Sequence, residues 1–244
     1  AFEANPARDT IPMLGQWDDE FSFNDFLSEK VGGGSIISYD LYLATREFPT
    51  RVGLSGEFLS SPKLDDLAST YTALFGFLNS SNDSSINVYA SFDNEEVGSL
   101  TKQGAHSDFL KHTLGRIAKA LGWDKETKFQ ALANSVMLSI DNAHANHPNR
   151  PELSDPTTDV KLNGGIVIKY NANQSYTSDG FSSSIVKMIC DKRALPYQEF
   201  TNRNDLRGGS TLGNISNSEV SITTVDIGLP QLAMHSANEI MGAY

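Results

Sequence analysis

Short apolar runs alternating with segments of helical period constrain this chain more than any other feature. Val136–Ile140 and Gly165–Tyr170 are strand-length runs of β-branched and aliphatic residues. Ile86-Asn87-Val88-Tyr89-Ala90 and Val220–Val225 read the same way. Leu64, Leu67, Tyr71, Leu74 and Leu78 step by three and four, which predicts a helix over Lys63–Asn79. Ser61-Pro62 supplies a start signal, and Asp65 and Asp66 fall in the first turn, where the helix dipole favours anions. Leu110, Leu114, Ile117 and Leu121 predict a second helix ending at Gly122. Lys125–Asn134 and Ser182–Arg193 predict two more. Strands and helices in this alternation predict an α/β fold, an αβα sandwich around a central sheet.

Residues 1 to about 56 share no single period. They hold Pro6, Pro12 and Pro49, an acidic patch at Asp18-Asp19-Glu20, and a loop at Gly32-Gly33-Gly34-Ser35. One strand is expected at Ser35–Leu43. The chain is therefore expected to divide into residues 1–56, part of a second domain, and a main domain over 57–244. A net charge of -11 argues against nucleic acid or an anionic membrane as the main partner. No run is long and apolar enough to cross a bilayer, and Ala1-Phe2-Glu3-Ala4-Asn5 is not signal-like, so a cytoplasmic location is expected. The single cysteine, Cys190, excludes an intrachain disulfide and a thiolate zinc cluster. Among Ile185, Val186, Met188 and Ile189, its thiol is expected to be buried.

Chemistry enters where the strands give out. Asp93-Asn94-Glu95-Glu96 places three carboxylates within four positions after the run that begins at Ile86. Like charges at that edge cost stability unless a cation neutralises them, and open α/β sheets put active sites there. A divalent metal with a free carboxylate beside it as base is one reading; a solvated acidic turn is the other. Asp141 follows Val136–Ile140 in the same manner, ahead of Asn142-Ala143-His144-Ala145-Asn146-His147-Pro148-Asn149. His235 follows Val220–Val225 and Pro230. Asp65, Glu96, Asp141 and His235 thus all lie at element ends. Oxygen ligands mixed with imidazole suit zinc, manganese or cobalt better than calcium. His-Glu-x-x-His, Gly-x-Ser-x-Gly and the phosphate-binding Gly-x-x-x-x-Gly-Lys motif are missing. Asp226 lies within an apolar run and reads as a hydrogen-bonded structural carboxylate. His147 is expected to cap its own turn, and His106 and His112 to be solvated.

Several of these segments occur together in one order. Ser61-Pro62-Lys63-Leu64-Asp65-Asp66-Leu67, Asp93 to Ser99, Asp141 to Asn149 and Met234-His235-Ser236 resemble the M18 family of metalloaminopeptidases. Val167 to Gln174, Gly208-Gly209-Ser210-Thr211-Leu212-Gly213 and Asp226 to Leu232 are similar to that family as well. The resemblance implies a zinc-exopeptidase-type sandwich with a mixed sheet and a site of two divalent metal ions, most readily zinc. It makes Asp65 the bridging ligand, Glu96, Asp141 and His235 further ligands, and Glu95 the general base. His144 becomes a candidate to stabilise an oxyanion, or alternatively a donor to a ligand. Lys169 and Gly209 become candidate substrate-binding residues, with a structural ion pair as the alternative for Lys169 and a tight turn as the alternative for Gly208–Gly213. Peptide substrates with acidic N-terminal residues and a homo-oligomer follow from the same resemblance.

The match has departures. The family's remaining ligand is a histidine in a Gly-Ala-His-Thr-Asp-like motif on an early strand. Gly104-Ala105-His106-Ser107-Asp108 is similar in spelling but follows the acidic motif. The family's N-terminal third and its last helix are expected to be lacking here. Arg150–Asn163 also has none of the histidines found there in several aspartyl aminopeptidases. A catalytically silent scaffold or assembly subunit is therefore the competing reading. Glu95 favours the enzyme, because a silent scaffold needs no base.

Overall fold

The computed structural model describes residues 5–16, 20–206 and 208–244; Asp18 and Asp19 of the acidic patch lie outside the described residues. Two compact units emerge, residues 1–44 and residues 45–244. The division falls earlier than residue 56. The reason is β1 (Thr50–Val52), which pairs antiparallel with β2 (Phe58–Ser61) and so joins the larger unit.

In the first unit, α1 (Pro6–Asp9) starts at Asn5, whose side chain accepts from the Ala7 N–H. Ser22 caps α2 (Phe23–Lys30) by accepting from the Asp25 N–H. Phe23 contacts the rings of Phe26 and Tyr39. The strand expected at Ser35–Leu43 does not form: the segment joins no ladder, and Ile37, Tyr42 and Leu43 are exposed. Alternating apolar residues make a strand only when a neighbour takes up the backbone N–H and C=O groups.

The second unit is a mixed α/β structure. Its helices are α3 (Leu64–Leu78), α4 (Phe109–Ala120), α5 (Lys125–Ala133), α6 (Gly180–Arg193) and α7 (Leu212–Val220). Its further strands are β3 (Val136–Ile140), β4 (Ala143–His144), β5 (Ile166–Tyr170), β6 (Tyr197–Thr201), β7 (Thr223–Gly228), β8 (Pro230–Leu232) and β9 (Glu239–Gly242). One sheet has the order β3-β7-β5-β6, parallel within β3·β7 and β5·β6 and antiparallel across β5·β7. The other has the order β1-β2-β9-β8-β4.

Residues of β7 alternate between two faces. Val225 and Ile227 pack with Ile168, Val186 and Cys190, so α6 covers one face and buries the thiol. Asp226 points the other way, toward the start of α7. There a Cβ on Gly213 would come within 2.5 Å of Asp226 Oδ1 and 2.6 Å of Ser139 Oγ, so only glycine fits. Helices on opposite faces of a mixed sheet give the sandwich layering. Val220, Ile222 and Leu110 form a further cluster with Met137 and Leu132.

Two strand expectations change. Val220 ends α7, and the strand begins at Thr223; Ser221, left-handed at φ 49°, stops the helix. Gly213, Asn214, Ser216 and Asn217 are weak helix formers, so α7 left little periodic signal and is held by packing. Ile86–Ala90 is without regular structure, and Ile86 and Val88 are exposed. Among the described residues no strand pairs with it.

Candidate metal centre

Four irregular segments deliver the site. The first is the start of α3. Lys63 is left-handed (φ 57°), and Asp65 (φ -86°, ψ 114°) and Asp66 (φ -113°, ψ 27°) are not helical, so both carboxylates leave the helix surface. The Asp65–Asp66 peptide bond is cis. The second is the acidic turn. Asn94 (φ 60°) and Gly98 (φ 99°) flank a 3₁₀ turn over Glu95–Val97, closed by Gly98 N–H to Glu95 O at 2.8 Å and Ser99 N–H to Asn94 O at 2.9 Å. This turn re-aims Glu95 and Glu96 where a strand would have sent them to opposite faces.

The third segment follows β3. The Asp141 N–H donates to Ile227 O at 3.1 Å. Asn142 is buried and spends its amide on neighbours: Nδ2 donates to Leu64 O (2.7 Å) and Gln231 Oε1 (2.8 Å), and Oδ1 accepts from Ser69 Oγ. The Asn142 N–H donates to Asp66 Oδ1 at 3.2 Å, tying this loop to α3. The fourth is the turn after β8. Ala233 (φ 57°) and His235 (φ 65°) are left-handed, and Ser236 N–H closes onto Ala233 O at 3.0 Å.

These segments bring the four expected ligands into one cluster. His235 Nε2 lies 3.1 Å from Asp65 Oδ2 and 3.2 Å from Glu96 Oε2. Asp65, Glu96 and His235 offer ligand atoms all within 4.8 Å of one another, and so do Asp65, Asp66 and Asp141. Asp65 is common to both groups. Its side chain is 4% exposed, whereas Glu96 and His235 are 58% and 60% exposed, so the cluster is open on their side. Asp66 was legible in the sequence only as a helix-start acid; its place against Asp141 depends on the broken first turn.

Burial and mutual repulsion raise the pKa of several carboxyls of the cluster. Burial, then Asp141, Glu96 and Asp66, push the Asp65 carboxyl up to about 8. Burial and Asp141 raise Asp66 to about 7. Burial, then Asp141 and Glu96, raise Glu95 to about 7. Asp65 Oδ1 is buried with no hydrogen-bond partner. A buried acceptor without a donor, crowded by other carboxyl groups, fits a divalent cation. Carboxylate oxygens with one imidazole suit zinc, manganese or cobalt.

Around the cluster the other expected residues take different places. Lys169 is 2% exposed, and its ammonium contacts Asp141 Oδ2 (3.1 Å), Asp141 O (2.9 Å) and Asn142 O (3.0 Å). An ammonium has three N–H donors, and all are engaged. Of the two expectations for Lys169, a substrate-binding cation or a structural ion pair, these contacts have the geometry of the ion pair with Asp141. His144 reaches the same region from β4; desolvation, then the charges of His235 and Lys169, lower its pKa and favour the neutral ring. Gly209 borders a cleft of about 790 Å³ with Asn171, Gln174, Ser178, Asn202 and Arg203, and no carboxylate of the metal cluster lines it. His147 Nδ1 accepts from the Asn149 N–H at 3.2 Å, capping its turn, and His106 and His112 are exposed. Glu239 gave no sequence signal beyond an acid four residues after His235, yet it touches two of the ligand segments. Among the described residues, no helix is long and apolar enough to cross a membrane.

Residues 22–244 match the family described as aminopeptidase I zinc metalloprotease (M18). The chain belongs to the M18 family. It is 48% identical to a probable M18 family aminopeptidase 2 of Clostridium novyi, over 98% of this chain and 57% of the relative. The M18 chain thus spans little more than half the length of such relatives. Its fold is similar to the crystal structure of prApe1 (TM-score 0.80, 29% identity, 89% of this chain and 48% of that one). It is also similar to a structure titled as the S. cerevisiae mApe1 dodecamer (TM-score 0.74, 27% identity, 89% of this chain and 50% of that one).

Proposed function

We propose that the protein is a metal-dependent aminopeptidase that releases N-terminal residues from peptides. The observation that carries this reading is the convergence of Asp65, Glu96, Asp141 and His235 around the unpartnered Asp65 Oδ1, with Glu95 alongside. Asp65, Glu96 and His235 would hold one divalent cation, and Asp65 with Asp141 a second, with zinc the metal named for the family. Two such ions, when bound, acidify a water and polarise the scissile carbonyl.

The side chains around them divide the remaining work. Glu95 accepts the water proton and hands it to the leaving amine; burial of its carboxyl favours holding that proton between the two steps. His144, held neutral, donates an N–H toward the developing oxyanion. Lys169 holds Asp141 in place through contacts to its carboxylate and backbone carbonyl, so that the side chain does not swing away. Gly209 lies on the rim of the polar cleft that would receive the peptide beyond the reacting bond. Acidic N-terminal residues are the proposed preference, resting on the family resemblance, since Lys169 cannot supply the matching charge. A homo-oligomer is proposed on the likeness to the dodecameric mApe1.

The test is hydrolysis of Asp-, Glu-, Leu- and Ala-para-nitroanilides after chelation and after return of zinc, manganese or cobalt. Activity lost with the metal and regained with it is expected, highest on the acidic substrates. Metal-independent turnover, or none with any metal, would remove this reading.

A further inference from the structure

We infer that Glu239 is a positioning residue that sets the two ligand segments of Asp65 and His235 against each other. The inference rests on the proposed metal site and adds to it a residue outside the expected ligand set. Glu239 is the first residue of β9, 2% exposed, and stands opposite Ser61 in the pairing of β9 with β2. Chain leaving β2 at Ser61 reaches Asp65 four residues later, while chain entering β9 has just passed His235. Glu239 stands at the fork between them. Its Oε2 accepts the Asp65 N–H at 2.9 Å, and its Oε1 accepts the His235 N–H at 2.7 Å.

One carboxylate thereby joins backbones that lie 170 residues apart in sequence, next to the two side chains whose atoms meet at 3.1 Å. Both oxygens must be acceptors, because both neighbours are N–H donors. An amide cannot replace it: glutamine would turn an NH₂ against one of those N–H groups and break one arm. The position therefore demands a carboxylate in chemistry, where space-filling alone would accept glutamine. No salt bridge to Glu239 occurs among the described residues, so its charge is met by hydrogen bonds alone. His235 needs this hold more than Asp65 does, since its left-handed backbone (φ 65°) is one that a non-glycine residue seldom adopts unaided.

The experiment measures zinc affinity by chelator competition and the visible absorption of the cobalt-loaded protein for wild type, Glu239→Gln, Glu239→Asp and Asp226→Asn. Outer partners that orient metal ligands typically contribute ~10–100-fold to affinity. Glu239→Gln is expected to weaken zinc by that factor and to shift the cobalt bands. Asp226→Asn, an equally buried carboxylate away from the cluster, is expected to leave both unchanged. Should Glu239→Gln fail to fold, Glu239→Asp carries the test: it keeps the charge but draws the oxygens back by one methylene, and must weaken zinc and shift the bands too. Wild-type affinity and spectrum in the Glu239 variant that folds would overturn the inference, as would an equal loss in Asp226→Asn. A wild-type protein that binds neither ion would instead overturn the metal site itself, and the inference with it.

Discussion

Two buried acidic nodes in the larger unit, one at Asp226 and one at Asp65, meet burial in opposite ways. Asp226 is fully buried, and its oxygens accept from Ser139 Oγ (2.5 Å), Thr211 Oγ1 (2.7 Å), Thr177 N–H (2.5 Å) and Thr177 Oγ1 (2.7 Å). Those donors come from β3, the loop before α6 and the start of α7, so the carboxylate knits the sheet to both helical faces. Asp65 is nearly as buried, yet one oxygen has no donor, the other meets the His235 ring at 3.1 Å, and Asp141, Glu96 and Asp66 crowd the group. A buried anion surrounded by donors is scaffold. A buried carboxyl crowded by other carboxyls, with one oxygen left without a donor, suits a cation.

Each prediction strikes one side of that contrast. Asp65→Ala removes the residue common to both ligand groups and is expected to abolish metal binding and peptide hydrolysis together. Metal analysis after dialysis checks this, and a variant that still holds two ions per chain would end the assignment of Asp65 as bridge. Glu95→Gln should lower kcat by ~10²–10⁴ while metal content stays normal, because it removes a base and no ligand. Glu96→Gln should lose metal. Equal metal loss in both variants would reverse the roles of the neighbouring glutamates.

Lys169→Met leaves Asp141 beside Asp66 and Asp65 without its cation. Removing one partner of a buried pair costs about 3–5 kcal/mol, with the lower end apt here because Asp141 is partly exposed. Denaturant unfolding of the metal-free protein should show this loss, and added zinc should recover part of it by supplying positive charge. A KM rise confined to acidic substrates, with stability unchanged, would restore a substrate role for Lys169. The smallest effect belongs to the satisfied node. Asp226→Asn should cost ~1–3 kcal/mol in stability, since the hydroxyls can rotate to suit an amide while charge-assisted bonds are lost. Zinc affinity should not change; a parallel fall would show that the two nodes are coupled.

The core strands and the helices with strong periods were legible in the sequence because their signal is local. Val136–Ile140 is β3, Gly165–Tyr170 encloses β5, and the steps of Leu110, Leu114 and Ile117 mark α4. Ser35–Leu43 and Ile86–Ala90 carry comparable strand character and form none, since a ladder needs a second chain segment and composition does not disclose one. The α3 stripe shows the same limit: its period made the helix, yet Leu67, Tyr71 and Leu78 are exposed.

For the site, the sequence by itself determined which side chains could bind a cation and that they stand at element ends. It also singled out Asp226 as a structural acid by its apolar surroundings. Only the tertiary structure decided that Lys169 contacts Asp141, that Asp66 joins Asp65, and that Glu239 binds the backbones of Asp65 and His235. The physical reason is range. Propensity and periodicity act over a few residues, whereas the field and hydrogen bonds within this cluster are set by groups up to 174 residues apart that meet only when the strands pair.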